Sequence, residues 1–205
     1  VAFFTTPHFK EAGNYRLKYR TNADEDYTDM LIDFEARLWP EVQLLQPTLG
    51  SVQGGTIDSI IGTSLLAGGP TLSVQVGFGA PVSGTIVSST LAVLMMPPKS
   101  EGTTRVGIVD GSVYVPFVYH PVVSITGIRP SRSSAADGAT VTLMGSGFVF
   151  TDSIRCRFGD NLVQGTYISE SLVACRTPLG LSDGNYTVEV ANNGEEFTRS
   201  GTQFE

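Results

Sequence analysis

The stretch Gln75-Val76-Gly77-Phe78-Gly79 recurs farther along the chain as Arg155-Cys156-Arg157-Phe158-Gly159. Met96-Pro97-Pro98 recurs in the same way as Arg176-Thr177-Pro178, and both matches have an offset of 80 residues (78 to 158 and 98 to 178). A fixed internal period of this kind indicates a structural unit that is copied in tandem. Tandem small modules are typical of proteins that space or bind other molecules, rather than of enzymes.

Short alternating runs fill the second unit and predict antiparallel strands. Apolar and polar residues alternate over 139–144, 154–158, 171–175 and 186–190, and turn residues such as Gly159-Asp160-Asn161 separate these runs. Period-two runs of this length, bounded by Gly, Asp and Asn, are typical of half-buried strands. Six or seven such strands in about eighty residues predict a sandwich of immunoglobulin type.

Composition agrees with an all-β protein and excludes a membrane span. The chain has 23 glycines, only 16% charged residues and no long stretch of helical periodicity. No run of eighteen apolar residues is present, so direct insertion into a membrane is not expected. Residues 1–7 do not have the pattern of a signal peptide, and no initiator methionine is present, so we expect the chain to be a piece of something longer.

The charge pattern argues against a nucleic-acid partner. The formal net charge is −7, and acidic residues outnumber basic ones in each of the segments 1–40, 41–120 and 121–205. A nucleic-acid binder needs a basic surface to neutralise phosphates. The segment 41–120 is also poor in charge of either sign, which favours permanent packing against neighbours or cover by glycans.

The order of motifs in the second unit resembles the IPT/TIG domain family. The resemblance covers about 121–205 and rests on these landmarks: Ile128-Arg129-Pro130, Asp137-Gly138-Ala139-Thr140-Val141, Gly145-Ser146-Gly147-Phe148, Cys156-Arg157-Phe158-Gly159, Cys175-Arg176-Thr177-Pro178 and Ala191-Asn192-Asn193-Gly194. Residues 41–120 keep a weaker version without cysteines.

This resemblance implies an all-β chain of tandem immunoglobulin-like β-sandwiches, of the E-set-like kind. It predicts one IPT/TIG-like domain over 41–120 and a second, with a disulfide, over 121–205. Residues 1–40 would be the C-terminal part of a preceding module or a linker, because Gly13-Asn14-Tyr15 echoes Gly184-Asn185-Tyr186. No cofactor is expected.

The two cysteines are the strongest chemical feature. The repeat offset of 80 places Val76 at the position of Cys156 and Met95 at that of Cys175, so the paired positions would face each other inside the sandwich. Since the resemblance is to the secreted branch of the family, it implies a Cys156–Cys175 disulfide. The alternative is a pair of free buried thiols in a cytosolic protein. Two cysteines and two distant histidines make no zinc site.

Two further positions are possible sites. Asn185-Tyr186-Thr187 is a sequon, so Asn185 is either a glycan acceptor or an ordinary turn asparagine. Asp24, Asp26 and Asp29 form an acidic run that could offer oxygen ligands to calcium, but it lacks the glycine and glutamate of an EF-hand loop. A solvated loop is the preferred interpretation of that run.

Catalysis finds no support, and the sequence predicts a protein that is not an enzyme. His8 and His120 each lie beside a proline, and neither has a nucleophile or carboxylate at a recognisable catalytic spacing. Tyr119-His120-Pro121 is interpreted as a short, stiff hinge between the units. Trp39, the only tryptophan, precedes Pro40 at a module boundary, where a packing role is expected.

These observations predict a structural or interaction segment of a large extracellular cell-surface or filament-forming protein, such as a surface coat, an adhesin or a ciliary or flagellar hair. It would act by spacing modules and by contacts with other protein chains, or with copies of itself, through the edges and faces of its sandwiches. The alternatives are the stalk of a plexin- or Met-like receptor ectodomain and an accessory module of a secreted carbohydrate-acting enzyme.

Overall fold

The computed structural model describes residues 13–20, 22–23, 25–36, 38–133 and 138–205. It contains three separate sheets and one short 3-10 helix, Leu65–Gly68. The first sheet is a two-stranded antiparallel hairpin of β1 (Gly13–Tyr19) and β2 (Thr28–Ala36). Among the described residues, no helix is long and apolar enough to cross a membrane.

The second sheet has eight strands, in the order β3-β5-β8-β7-β6-β9-β10-β4. Only its last pair, β10 with β4, is parallel. The strands are β3 (Glu41–Gln46), β4 (Leu49–Ser51), β5 (Ile57–Thr63), β6 (Thr71–Val76), β7 (Val82–Ile86), β8 (Leu91–Met95), β9 (Gly102–Ile108) and β10 (Tyr114–His120). We call this unit the first module.

The third sheet has seven strands, in the order β11-β12-β15-β14-β13-β16-β17. We call this unit the second module. Its strands are β11 (Ser124–Arg129), β12 (Thr140–Ser146), β13 (Arg155–Phe158), β14 (Asn161–Ser169), β15 (Leu172–Arg176), β16 (Tyr186–Ala191) and β17 (Gln203–Phe204).

The two modules share one topology and have separate hydrophobic cores. Without the added β4, the first module repeats the strand order of the second, which confirms the prediction of an all-β chain of tandem immunoglobulin-like sandwiches. Each core consists of inward-facing residues, which alternate with outward-facing residues along each strand, as expected for a sandwich. The largest fully buried side chains include Phe117, Tyr119 and Ile60 in the first module and Phe148 and Phe158 in the second.

The residue equivalence drawn from the repeated Phe-Gly motif is wrong. Phe158 lies in β13 and is fully buried, whereas Phe78 lies in the turn after β6 and is fully exposed. In the first module, Val76 on β6 pairs with Val106 on β9. In the second module, the equivalent strands β13 and β16 pair Phe158 with Val188. The true offset here is therefore 82, and Val74 takes the place of Cys156.

The equivalence of Met95 with Cys175 is wrong for the same reason. In the first module, β5 and β8 pair Asp58 with Leu94. The equivalent strands of the second module, β12 and β15, pair Val141 with Cys175, so Leu94 takes the place of Cys175. Leu94 is buried, while Met95 is 61% exposed on the opposite side of the strand. Since side chains alternate between the faces of a strand, an error of one residue moves a side chain from the core to the surface.

Candidate functional site

The best-defined polar arrangement in the described chain lies at the junction between the modules. Only residues 121–123 separate β10 from β11, so the end of the first module lies beside the loops of the second. His120 is 4% exposed, and Asn192 and Asn193, which follow β16, are 1% and 6% exposed. Buried polar side chains are normally hydrogen-bonded, so the partners of these three residues define the junction.

Asn193 makes a direct hydrogen bond from one module to the other. Its Nδ2 donates to the Leu49 carbonyl at 3.2 Å and to the Glu196 carboxylate at 3.1 Å. Its Oδ1 accepts from the backbone N–H groups of Glu195 and Glu196 at 3.1 and 2.9 Å. The side chain therefore closes its own loop and holds that loop against strand β4 of the first module.

Asn192 and His120 form the second part of the junction. Nδ1 of His120 carries the proton, because it lies 2.7 Å from the Pro121 carbonyl, which can only accept. Nδ2 of Asn192 lies 3.3 Å from that nitrogen and donates to the Gly147 carbonyl at 2.8 Å. Burial lowers the pKa of His120, so its imidazole is neutral at neutral pH. Its buried Nε2 has no partner among the described residues.

A buried carboxyl group lies behind this junction. Asp58 is fully buried in β5, and its Oδ1 accepts a hydrogen bond from the Gln46 N–H at 3.1 Å. Its Oδ2 and the Thr56 hydroxyl are buried without a partner in the described chain. Burial, together with a smaller effect of the charge of Glu195 in the second module, raises the pKa of Asp58 to about 7, although the Gln46 hydrogen bond lowers it.

Tyr119, near the end of β10, is buried close enough to Asp58 to sense its charge. Its hydroxyl donates to the Pro97 carbonyl at 2.7 Å, and its ring packs edge-on against Phe117 with a centroid distance of 5.0 Å. Burial and the charge of Asp58 raise the pKa of Tyr119 to about 12.

The two cysteines lie in the core of the second module and are joined as a disulfide between β13 and β15. Cys156 and Cys175 are 0% and 1% exposed. Gly165 on β14 lies over the bond, and a Cβ atom added there would come within 3.1 Å of Cys156 Sγ. The disulfide is thus enclosed by core residues and is not positioned to exchange with thiols from solvent.

The other predicted positions do not come together into one site. Asn185 is exposed in the residue before β16, at the opposite end of that strand from Asn192 and Asn193. Asp24 and His8 lie outside the described residues. Asp26 is exposed, and Asp29 pairs with Lys18 at 3.4 Å. Among the described residues, no group of three or more His, Cys, Asp or Glu side chains could hold a metal ion.

The expectation that Trp39 has a packing role is wrong. Its side chain is 70% exposed at the boundary before the first module. The motif Ala191-Asn192-Asn193-Gly194 carries part of the family resemblance, but the sequence predicts no role for Asn192 or Asn193. Nothing in a single sequence indicates that the Asn193 amide faces a carbonyl 144 residues away.

Comparison with known proteins gives matches over most of the chain. The curated relatives include human fibrocystin-L, 27% identical over 179 residues, and the probable serine/threonine-protein kinase drkC of Dictyostelium discoideum, 29% identical over 92 residues. These matches cover 80% and 41% of this chain but only 4% and 12% of the relatives. A solved structure of the plexin A4 extracellular region is 20% identical, with a TM-score of 0.49, over 80% of this chain and 15% of that one.

The family assignment follows from the match of this chain to a domain-family model. The model of the IPT/TIG domain matches residues 40–119 and again residues 123–205. The two matched segments contain the two sheets and the two hydrophobic cores described above. This chain belongs to the IPT/TIG domain family and carries two tandem copies of its immunoglobulin-like domain.

Proposed function

We propose that this chain is a non-enzymatic spacer and interaction segment of an extracellular cell-surface or filament-forming protein. Its two IPT/TIG domains would comprise residues 41–120 and 121–205, and residues 1–40 would end a preceding module or form a linker. The observation that carries the proposal is the buried hydrogen bond from Asn193 to the Leu49 carbonyl. A spacer transmits position only if its modules keep a fixed orientation, and this contact provides such a restraint.

The extracellular location is supported by two features of the second module. Cys156 and Cys175 are disulfide-bonded, and disulfides persist mainly in oxidising compartments. Asn185 belongs to a sequon and is exposed just before a strand, where a glycosyltransferase could reach it. Partners would be other protein chains or copies of this chain, bound through sandwich edges and faces, and not nucleic acid.

Removing the Asn193 side chain should loosen the junction. In Asn193→Ala, the Leu49 carbonyl loses its partner, and a buried unsatisfied group costs about 1–3 kcal/mol. We expect ¹⁵N relaxation to show wild-type modules that tumble as one body and variant modules that tumble with different correlation times. Asn161→Ala is the matched control, because that amide bonds only within its own hairpin, to the Phe158 carbonyl. Wild-type modules that already tumble independently would contradict the spacer proposal.

The sequon provides a separate test of location. Expressed in a secretory pathway, the wild-type chain should carry an N-linked glycan on Asn185, and Asn185→Gln and Thr187→Ala should each remove it. Intact mass before and after enzymatic deglycosylation gives the readout. A non-reducing peptide map of the same material should show Cys156 linked to Cys175. An unmodified chain with free thiols would instead favour an intracellular binding module.

A further inference from the structure

The second module has a hollow of about 580 Å³ at the end that faces away from the junction. This end contains the start of β16, whereas the junction asparagines follow the end of that strand. We call it the end hollow. Its lining includes Arg132, Ser133, Thr177, Pro178, Phe204 and Glu205. The first module has the same topology, so it shows what occupies the equivalent place there.

The last strands of the two modules can be aligned residue by residue. Val106 on β9 and Val188 on β16 are equivalent, with an offset of 82 residues. Thr104 on β9 pairs with Phe117, and the residue 82 positions later, Tyr186, pairs with Phe204. Phe204 therefore takes the place of Phe117, and both are buried.

Backbone hydrogen bonds support this alignment on the other side of the strand. The Val118 N–H donates to the Thr48 carbonyl at 3.0 Å, and the Glu205 N–H donates to the Ser131 carbonyl at 2.9 Å. Glu205 therefore takes the place of Val118, and Ser131 takes the place of Thr48. The positions that follow these two residues are equivalent as well.

In the first module, the place of the end hollow is filled by Tyr119. Its hydroxyl donates to the Pro97 carbonyl at 2.7 Å, and its ring packs edge-on against Phe117. Pro97 corresponds to Pro178, because β8 and β15 have an offset of 81 residues (94 to 175). Pro178 and Phe204, the equivalents of both partners of the tyrosine, line the end hollow. The hollow therefore offers the contacts of an aromatic side chain.

The same end also presents the equivalent of the junction carbonyl. Arg132 follows Ser131 as Leu49 follows Thr48, so the Arg132 carbonyl takes the place of the Leu49 carbonyl. In the first module, that carbonyl accepts the Asn193 amide of the next module at 3.2 Å.

We infer that this end of the second module is the docking surface for a further IPT/TIG-type module that continues from β17 in the same polypeptide. An aromatic side chain at the position after Glu205 fills the end hollow. The Arg132 carbonyl accepts an amide from a loop of the further module, as the Leu49 carbonyl accepts Asn193. This inference rests on the proposed role as a spacer and names the surface through which the spacer extends.

The small size of the contact favours a partner within the same polypeptide. One buried side chain and one hydrogen bond cover far less than the roughly 800 Å² per partner of a stable complex between separate chains. A direct connection between the modules makes the contact intramolecular and raises its effective concentration. Burial of the aromatic ring then anchors the module, and the hydrogen bond fixes its orientation.

The test extends the chain in the register that this alignment predicts. Because Glu205 takes the place of Val118, residues 1–205 are followed directly by a second copy of residues 119–205. The copy then offers Tyr119 to the end hollow and Asn193 to the Arg132 carbonyl. The copy is ¹⁵N-labelled by segmental ligation, since its signals otherwise overlap those of the second module. We expect ¹⁵N relaxation to give it the same correlation time as a sample labelled over residues 1–205.

Variants made only in the appended copy separate the two contacts. Tyr119→Ala empties the end hollow and Asn193→Ala removes the hydrogen bond, so each should give the appended module a shorter correlation time. Asn161→Ala is the matched control, because that amide bonds to the Phe158 carbonyl of its own hairpin.

Two results would overturn the inference: a folded appended module that tumbles independently in the unmodified extended chain, or tumbling that Tyr119→Ala leaves unchanged. The relaxation of the first and second modules is measured separately in the 205-residue chain. If those two modules tumble as one body while the appended module does not, this inference fails and the spacer proposal stands.

Discussion

The double variant Cys156→Ala with Cys175→Ala is expected to lower the free energy of unfolding of the second module by about 4–5 kcal/mol. Two effects add. The bond closes a loop with a sequence separation of 19, which is worth about 3 kcal/mol in the chain-entropy treatment. Loss of two fully buried sulfur atoms adds about 1–2 kcal/mol, since the surrounding core cannot fully close the space.

A matched variant separates the cross-link from the packing. Cys156→Val with Cys175→Leu installs the residues that occupy the same positions in the first module, Val74 and Leu94. This variant should lose mainly the cross-link, about 3 kcal/mol, and should unfold at a urea concentration between the wild type and the alanine pair. Urea unfolding followed by the NMR signals of β13 and β16 gives the stability of the second module alone. Equal midpoints for all three proteins would contradict the stabilising role of the disulfide.

Asp58→Asn is expected to stabilise the first module at pH 8 and to remove a steep pH dependence. Folding raises the pKa of this carboxyl group from 3.8 to about 7 because burial disfavours the charge. A rise of this size corresponds to about 4 kcal/mol. The stabilising effect of the protonated group is fully present below pH 3.8 and is lost as the pH rises through 7.

Urea unfolding of the first module at pH 5, 6, 7 and 8, measured in wild type and variant, tests this expectation. Asparagine keeps an oxygen that can accept the Gln46 hydrogen bond but takes no charge, so the advantage of Asp58→Asn should grow as the pH rises. The exposed Asp160→Asn is the matched control and should show no such growth. If the difference in free energy of unfolding between Asp58→Asn and wild type were constant with pH, Asp58 would not ionise within the core and the expectation would be wrong.

Much of the fold could be predicted because it depends on local patterns. Alternation in 139–144 and 154–158 predicted strands that the structure has as β12 and β13. The tandem organisation followed from the repeated motifs, and the two modules indeed share a strand order. Periodicity is a property of neighbouring residues, so a strand can be predicted from it without knowing which strands it pairs with.

The residue equivalence between modules could not be predicted, because a repeated motif does not fix register. The turn after β6 is longer than the turn after β13, so Phe78 is exposed while Phe158 is buried. An alignment with a constant offset of 80 residues ignores this difference in turn length and places Met95 inside the sandwich. The pairing of β8 with β5 instead places the Met95 side chain on the outer surface. Strand pairing decides these positions, and pairing involves residues far apart in sequence.

The sequence by itself determined that this chain is all-β, built in two related units and able to form one disulfide, because these properties follow from residue type and local spacing. Only the tertiary structure decided which residues meet across the chain. The Asn193 contact with Leu49 and the burial of Asp58 each depend on strand register or on the docking of one module on the other. Long-range contacts of this kind form when whole faces of strands and modules are buried against one another. A local sequence pattern does not specify which faces these are.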